Sequence, residues 1–178
     1  TASITALNQY AFWATTFSFI PLYADKLGAS KLTLGIIGTI SLVPYTLTAL
    51  VNHRFAHRLG ENRAVFMGML VMAAMMFAVP LIDNVPLLAI SQGVSGFGRG
   101  MVYPLLMGLS IREISGEDRA TAMGVYQAIY AIGMFLGPMT AGAFADAFGL
   151  SGAFIMSGTV SVIAAVAALI LLERLRRN

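Results

Sequence analysis

Residues 64–82 read AVFMGMLVMAAMMFAVPLI, a run in which no side chain is charged or strongly polar. At about 1.5 Å per residue, a helix of this length crosses the roughly 30 Å hydrocarbon core of a bilayer. Backbone groups in lipid must pair within the protein, and a strand of a membrane barrel would use only about 10 residues of the run. The run therefore predicts a transmembrane α-helix.

Composition extends this prediction to the whole chain. The 178 residues are 58% hydrophobic and 11% charged, with a mean hydropathy of +0.80. Soluble domains carry about 25% charged residues, so this chain lacks the charge to cover a soluble globule. At roughly 30 residues for a span and its loop, the length allows six spans. The absence of cysteine excludes disulfides and thiolate metal sites.

We predict an all-α membrane protein with a single six-helix transmembrane domain over residues 1–178. Short connections rich in Gly, Pro, Asp and Asn separate the apolar stretches. The predicted helices run over residues 3–24, 32–52, 64–82, 85–111, 119–145 and 151–172.

Basic residues lie mainly on one side of these predicted spans, and only Lys26 and Lys31 lie on the other. The side rich in Lys and Arg stays in the cytoplasm, so both termini are predicted to be cytoplasmic in a multi-pass protein of the inner (cell) membrane. The charges then mark topology. They explain the high pI of 9.5, and no nucleic-acid partner is predicted. The basic residues of the first side are Arg54, Arg58, Arg63, Arg112, Arg119, Arg174, Arg176 and Arg177.

Four predicted spans carry polar side chains at helical spacing, whereas the third and sixth are almost purely apolar. This division predicts that the first, second, fourth and fifth helices surround an aqueous cavity and that the other two face lipid. Alternatively, the polar groups hydrogen-bond between packed helices, at about 1 kcal/mol or less each. The candidate cavity residues are Asn8, Gln9, Trp13, Tyr45, Gln92, Arg99, Tyr103, Tyr126, Gln127 and Tyr130, and Ser41, Thr48 and Asn52 continue the stripe of the second helix.

Arg99 is the sharpest candidate, because it lies about 14 residues into the fourth span, or about 21 Å from its start. A charge at that depth costs about 3 to 10 kcal/mol or more unless it faces water or a partner. No acidic residue is predicted at matching depth. We therefore predict that Arg99 faces a cavity, an anionic ligand or an acid of another chain or domain. Contact with carbonyl groups at a helix end is the alternative.

Small residues one turn apart predict close packing between helices. The pairs are Gly96 with Gly100 and Gly133 with Gly137. Pro138, directly after the second pair, removes a backbone hydrogen bond and permits a bend. Glycine-rich helices that bend suit a protein that changes conformation, and they also occur in static bundles.

Residues 133–142 read GMFLGPMTAG and resemble the G-x-x-x-G-P-x-x-G-G motif of the major facilitator superfamily. Gly133, Gly137, Pro138 and Gly142 match, and Ala141 replaces a glycine. The motif falls in the fifth predicted span, where the family has it.

Two further stretches resemble family motifs more loosely. Residues 53–60 resemble the loop motif G-x-L-A-D-R-x-G-R-K, with Arg58 and Gly60 matching. His57 replaces the Asp that takes part in a charge network in the family. The fourth-span motif R-x-x-Q-G-x-G has Gln92 at the position of its Arg.

The resemblance implies a fold of twelve helices in two six-helix halves, each built from two inverted three-helix repeats. This chain is expected to be one half, and its eroded loop and fourth-span motifs with a basic tail favour the C-terminal half. The first residue is Thr1 and not Met, which also fits a piece of a longer chain. The pattern FAxxxG, at residues 55–60 and again at 144–149, is a weak echo of the repeat.

The resemblance also implies secondary transport by alternating access around a site at the middle of the membrane. One bundle cannot enclose such a site, so the chain is expected to need a partner half or a second copy within the lipid bilayer. Arg99 favours an anionic small-molecule substrate, and coupling to a proton or another ion stays open. An oligomeric six-helix channel or a non-transporting membrane scaffold is the alternative.

No enzyme activity, metal or cofactor is predicted. The predicted spans hold no nucleophile with an acid–base partner, and no phosphate-binding loop is present. His53 and His57 have the i, i+4 spacing of metal ligands but lack a third ligand nearby.

Overall fold

The computed structural model describes residues 1–112 and 114–177, and residues 173–177 are described for their backbone alone. Within these ranges the chain folds into helices and forms no strand. The α-helices are α1 (Ala2–Phe12), α2 (Ile20–Lys26), α3 (Lys31–Leu50), α4 (Asn52–Leu59), α5 (Glu61–Ala78), α6 (Val85–Ile111) and α7 (Arg119–Arg177).

The first predicted span is one continuous helical rod with a π-helical middle. Residues Trp13–Phe19 form a π-helix that joins α1 to α2 without a break. The backbone N–H of Ile20 accordingly donates to the carbonyl of Thr15, five residues earlier. A single span was predicted over residues 3–24, and the change of hydrogen-bonding pattern within it was not.

The connection predicted after the second span is a helix. Val51 bends the chain, and α4 then runs to Gly60, which has φ 81° and ψ 143°. Neither Gly nor Pro occurs between Asn52 and Leu59, so nothing stops the helix before that glycine. The expectation of a loop here was wrong.

A single glycine divides α7. Gly149 has φ 73° and ψ 176°, a backbone conformation that essentially only glycine adopts, and it separates two helices that otherwise follow each other directly. Gly149 was expected to separate the fifth and sixth predicted spans, and the helix continues up to this residue and directly after it.

Three helices of the described chain are long and apolar enough to cross a membrane. They are Lys31–Leu50, Glu61–Leu81, which includes the 3₁₀ turn Val79–Leu81, and Arg119–Leu172, which continues through the break at Gly149. The 27 residues of α6 have sufficient length and include Gln92 and Arg99, and α6 is not among these three helices.

Two glycine pairs bring helix backbones together. A Cβ atom at Gly96 would overlap the carbonyl oxygen of Ser41, and one at Gly100 would lie 2.6 Å from that of Tyr45, so α6 packs directly on α3. These contacts agree with the close packing predicted from small residues one turn apart.

The second pair packs α7 on α1 in the same manner. A Cβ at Gly133 would overlap the carbonyl oxygen of Ala6, and one at Gly137 that of Tyr10. Gly142, which matches the same family motif, has no neighbour that a Cβ would meet.

The helix after Gly149 packs against α5. Ser161 donates to the carbonyl oxygen of Met69 at 3.3 Å, and the ring of Phe77 covers Gly158. Other apolar side chains of α5, such as Met67 and Leu70, are exposed. These two helices thus bury one face against each other and present an outer apolar face.

One ion pair joins two helix ends. Arg112, directly after α6, contacts Glu61 at the start of α5. The beginning of α5 and the end of α6 therefore lie at the same end of the bundle. Glu113 and the side chains of the basic tail, Arg174, Arg176 and Arg177, lie outside the described residues.

Candidate functional site

Arg99 lies inside α6 between two aromatic rings. Its guanidinium carbon is 3.6 Å from the centre of the Phe12 ring and 4.6 Å from that of Tyr45. Its Nε is buried and has no hydrogen-bond partner. In the ranges that the structure describes, the only ion pair joins Arg112 and Glu61, so no carboxylate neutralises Arg99.

The two rings stabilise the cation without saturating it. A guanidinium attracts the face of an aromatic ring, and each such contact contributes about 0.5–2 kcal/mol. The N–H groups of a guanidinium point outward in its own plane. Phe12 and Tyr45 therefore stabilise the charge, while Nε is left without a hydrogen-bond partner.

A cavity of about 200 Å³ opens beside this arginine, between the first helical rod, α3 and α6. Arg99 lies at one end, level with Phe12 and Leu42, and Pro21 and Leu34 lie towards the other. Only four of the twelve lining residues are polar. The lining residues are Phe12, Thr16, Phe17, Ile20, Pro21, Leu34, Ile37, Gly38, Ser41, Leu42, Gln92 and Arg99.

Gln92 is the second predicted site residue in this cavity. It lies two turns before Arg99 on the same face of α6, and its side-chain amide donates to Ser91 Oγ at 3.3 Å. It also borders a space of about 10 Å³ beside Thr15 and Ser95, which has room for about one water molecule. Gln92 therefore places an amide between the large cavity and the helix packing.

Three predicted tyrosines form a separate cluster. The hydroxyl of Tyr103 donates to that of Tyr130 at 3.4 Å, and the ring centres of Tyr126 and Tyr130 are 5.5 Å apart. Tyr126 is buried and its hydroxyl bonds to Thr5 Oγ1 at 2.9 Å. Gln127 is exposed on α7. None of these side chains lines the cavity beside Arg99.

The predicted residues of the first helix lie inside the helix packing. Asn8 is 0% exposed, and neither atom of its amide has a hydrogen-bond partner. Gln9 Oε1 and Trp13 Nε1 are likewise buried and unpaired. Trp13 comes nearest to the cavity, because its ring stacks on the ring of Phe17 with centres 4.7 Å apart.

The polar stripe of the second predicted span divides between the two interpretations. Ser41 lines the cavity, whereas Asn52, the first residue of α4, donates to the carbonyl oxygen of Met101 on α6 at 3.3 Å. Thr48 is buried beside Gly100 in the α3–α6 interface. Hydrogen bonding and packing between helices thus account for Thr48 and Asn52.

Phe12 and Phe17 belong to the site although they were not predicted from the sequence. Both are apolar, whereas polar side chains defined the predicted cavity. The available signal was spacing: Phe12, Thr16 and Ile20 follow one another at four-residue intervals and share the face that the cavity uses.

The residues of the loop motif are exposed at the bundle end. Arg58 borders an open cleft on α4 together with His53 and His57. No group of three potential metal ligands occurs in the part of the chain that the structure describes.

Long apolar helices, glycine contacts between them and a cation in an interior cavity define a multi-pass membrane protein. The sequence profile described as Major Facilitator Superfamily matches residues 1–178, and the chain belongs to this family. The resemblance seen in residues 133–142 is thereby confirmed.

Curated relatives are transport proteins by name. One is the "Probable hexose phosphate transport protein" of Chlamydia trachomatis, 27% identical over 161 residues, which are 90% of this chain and 34% of that protein. A second is the "Uncharacterized MFS-type transporter YceJ" of Bacillus subtilis, 30% identical over 144 residues, 79% of this chain and 37% of that protein. The "Probable anion transporter 3, chloroplastic" of Arabidopsis thaliana is 25% identical over 146 residues, 81% of this chain and 28% of that protein. The chain thus spans about a third of the length of these relatives.

Proposed function

We propose that this chain is one half of a secondary transporter that moves a small solute across a membrane by alternating access. Family membership and the names of its relatives support transport. The match to about a third of each relative supports a half that works with a second six-helix bundle, supplied by the same polypeptide or by a second copy.

The observation that carries the proposal is Arg99. Among the residues that the structure describes, Arg99 has no acidic partner, and a guanidinium at this depth is unfavourable by several kcal/mol until an anion or water reaches it. A substrate anion in the adjoining cavity would remove that cost. The contact with Arg99 would then contribute much of the free energy of substrate binding. Relatives named for transport of hexose phosphate and of anions support a negatively charged substrate.

The bundle itself is proposed to contain six spans in two inverted three-helix repeats. Support comes from the glycine contacts. Ala6 and Gly96 are 90 residues apart, and Ser41 and Gly133 are 92 residues apart. The contact of Gly133 with Ala6 therefore lies at the position in the repeat that corresponds to the contact of Ser41 with Gly96. The repeated FAxxxG pattern ends at Gly60 and Gly149, and both glycines have positive φ. Two helices from each repeat would then meet across one pseudo-symmetric axis.

We further propose that both termini lie in the cytoplasm, with the bundle in the cell membrane. The Arg112–Glu61 contact supports the placement of two basic segments at one end, where the positive-inside rule expects them. The eroded motifs favour the C-terminal half of the transporter.

Within this scheme Arg99 would bind the substrate and Gln92 would orient it. Tyr45 and Phe12 would position the guanidinium. The tyrosine cluster, Gln127, Asn8, Gln9 and Trp13 would contribute where the second bundle completes the cavity, or where the helices move.

Uptake into proteoliposomes that contain the full-length transporter tests the proposal. Saturable uptake and counterflow are expected, and Arg99→Ala should reduce uptake by about 10-fold or more at equal membrane expression, since charge-assisted hydrogen bonds contribute about 1.5–3 kcal/mol. Lys31→Ala, which also removes one positive charge but lies at an exposed helix start, is the matched control. Non-saturating ion conductance would instead indicate an oligomeric channel, and wild-type uptake by Arg99→Ala would remove Arg99 from the site.

A further inference from the structure

We propose that the ligand of the Arg99 cavity is an amphipathic organic monoanion: one carboxylate or similar group bound by Arg99, attached to an apolar body. This inference rests on the proposed function, because it names the substrate class of the same site. It also separates this chain from a relative named for hexose phosphate, whose substrate is rich in hydroxyl groups.

The geometry of the arginine selects the charged group. The ring centres of Phe12 and Tyr45 lie 3.6 and 4.6 Å from the guanidinium carbon, and the Nε of Arg99 is buried without a partner. The donors in the guanidinium plane match two oxygens of one carboxylate, which a fork of parallel N–H groups binds in bidentate fashion. A single arginine among the lining residues provides for one such group.

The walls of the cavity select the remainder of the ligand. Away from Arg99 and Gln92, the cavity is bordered mainly by carbon, from Phe17, Ile20, Ile37 and Leu42 among others. Several sugar hydroxyls placed here would lose water and find only Thr16, Ser41 and Gln92 as partners, which is unfavourable for each hydroxyl left unpaired. A hydrocarbon ring or chain loses nothing of this kind and gains from leaving water.

The dimensions set a limit on size. The lining residues of α3 extend from Leu34 to Leu42, eight residues or about 12 Å along the helix. The volume of about 200 Å³ lies below the roughly 300–1,000 Å³ of sites for drug-sized ligands. The cavity therefore accepts a small body extending from Arg99 towards Pro21.

The chain carries its own probe for this site. It holds a single tryptophan, Trp13, whose ring stacks on Phe17, a lining residue. A ligand that displaces the Phe17 ring changes the surroundings of the only indole. Fluorescence of Trp13 in the full-length transporter in lipid nanodiscs, with any tryptophan outside these 178 residues replaced by phenylalanine, therefore measures binding without requiring transport.

The experiment titrates this sample with cyclohexanecarboxylate, glucose 6-phosphate and cyclohexylmethanol, with empty nanodiscs as the blank. We expect cyclohexanecarboxylate to bind at least about 10-fold more tightly than the other two, because each lacks either the apolar body or the charge. Decanoate in the same titration distinguishes a ligand that comes from the lipid from one that comes from water, according to which carboxylate binds more tightly.

Three variants and a matched control locate the effect. Arg99→Gln should weaken cyclohexanecarboxylate binding by about 10- to 100-fold, and Arg99→Lys should recover part of the loss. Leu34→Ser should weaken it by about 3- to 10-fold through lost apolar contact. Leu32→Ser on the same helix, at a residue 77% exposed and outside the cavity, should change nothing.

The outcomes separate this inference from the proposed function. Equal or tighter binding of glucose 6-phosphate overturns the inference, even if an Arg99 variant fails to fold, because the wild-type chain alone decides selectivity. Saturable uptake of glucose 6-phosphate by the full-length transporter would then leave the transport proposal intact. Selective binding of cyclohexanecarboxylate without saturable uptake would overturn transport and leave the ligand class standing.

Discussion

The α6–α3 and α7–α1 contacts use the same device and border different surroundings. In both, two glycines one turn apart meet carbonyl groups of the facing helix. Beside the first contact lies an open cavity with an unpaired cation. Beside the second, side chains join the helices by hydrogen bonds, between Thr5 and Tyr126 and between Tyr10 and Thr140.

A pair of residues makes the contrast specific. Arg99 directly precedes Gly100 in the first contact, as Gln9 directly precedes Tyr10 in the second. Gln9 is buried with an unpaired oxygen and does not line the Arg99 cavity, whereas Arg99 reaches this cavity of about 200 Å³. Close packing at glycine thus brings the helices together at both contacts, and the neighbouring side chain distinguishes the contact that borders the Arg99 cavity.

The largest expected effect tests whether the two contacts are equivalent. Gly96→Ala and Gly133→Ala should each lower the free energy of unfolding by about 2–3 kcal/mol or more, because the added Cβ meets a backbone carbonyl that cannot rotate away. Unfolding in mixed micelles measures both. Gly142→Ala, where a Cβ meets nothing, is the control and should be neutral or slightly stabilising. A neutral Gly96→Ala beside a destabilising Gly133→Ala would break the comparison.

A somewhat smaller effect is expected at the glycines that end α4 and divide α7. Gly60→Ala and Gly149→Ala should each cost about 1–3 kcal/mol, because both residues have φ values near +75° to +80° with extended ψ. Thermal unfolding followed by circular dichroism provides the measurement. Gly108→Ala, within α6 and without a neighbour for its Cβ, provides the reference. Equal losses at residues 60 and 149 would support the proposed repeat, and a loss at one alone would count against it.

The next effect has the opposite sign. Asn8→Leu should raise the free energy of unfolding by about 1–2 kcal/mol, since both amide atoms of Asn8 are buried and unpaired and an apolar side chain removes that cost. Differential scanning fluorimetry of the purified chain should show a higher Tm. Ser161→Ala is the control, because it removes a bonded hydroxyl and should lower stability. Loss of uptake at unchanged Tm would return Asn8 to the cavity that its sequence pattern predicted.

The smallest effect concerns the hydrogen bonds of the α7–α1 contact. Tyr126→Phe should cost about 0.6 kcal/mol, and at most about 1.7, because bonds between helices in membranes are individually weak. A double-mutant cycle with Thr5→Val isolates the bond. Tyr130→Phe, which loses only the 3.4 Å bond from Tyr103, should cost less. A coupling energy of zero between residues 5 and 126 would remove the polar distinction between the two contacts.

The sequence was sufficient for the class and the family because both rest on local features. An apolar run predicts a membrane helix without reference to its neighbours, and residues 133–142 carry the family motif within ten positions. Arg99 and Gln92 were found because their depth and spacing could be counted along one helix.

The rest depended on what lies opposite each helix. Spacing places Ser41 and Asn52 on one face of the second predicted span, yet Ser41 borders the cavity and Asn52 bonds to the carbonyl oxygen of Met101. A hydroxyl and an amide can each bind water or a facing helix, so periodicity alone cannot distinguish a cavity from a packed interface. Phe12 and Phe17 were not predicted as site residues for a related reason: in an apolar span, an apolar residue that lines a cavity cannot be distinguished from its apolar neighbours.

The π-helix of residues Trp13–Phe19 has a consequence for how this protein tolerates genetic change. A π turn bonds residues five apart and so contains one residue more than an α turn. The π-helical segment therefore corresponds to an α-helix into which one residue has been inserted without breaking the helix. Deleting one residue here would restore α-helical pairing and keep Ile4 and Tyr23 on their buried faces. The same deletion in the middle of α3 would rotate everything beyond it by about 100° around the helix axis and turn its buried side chains towards lipid.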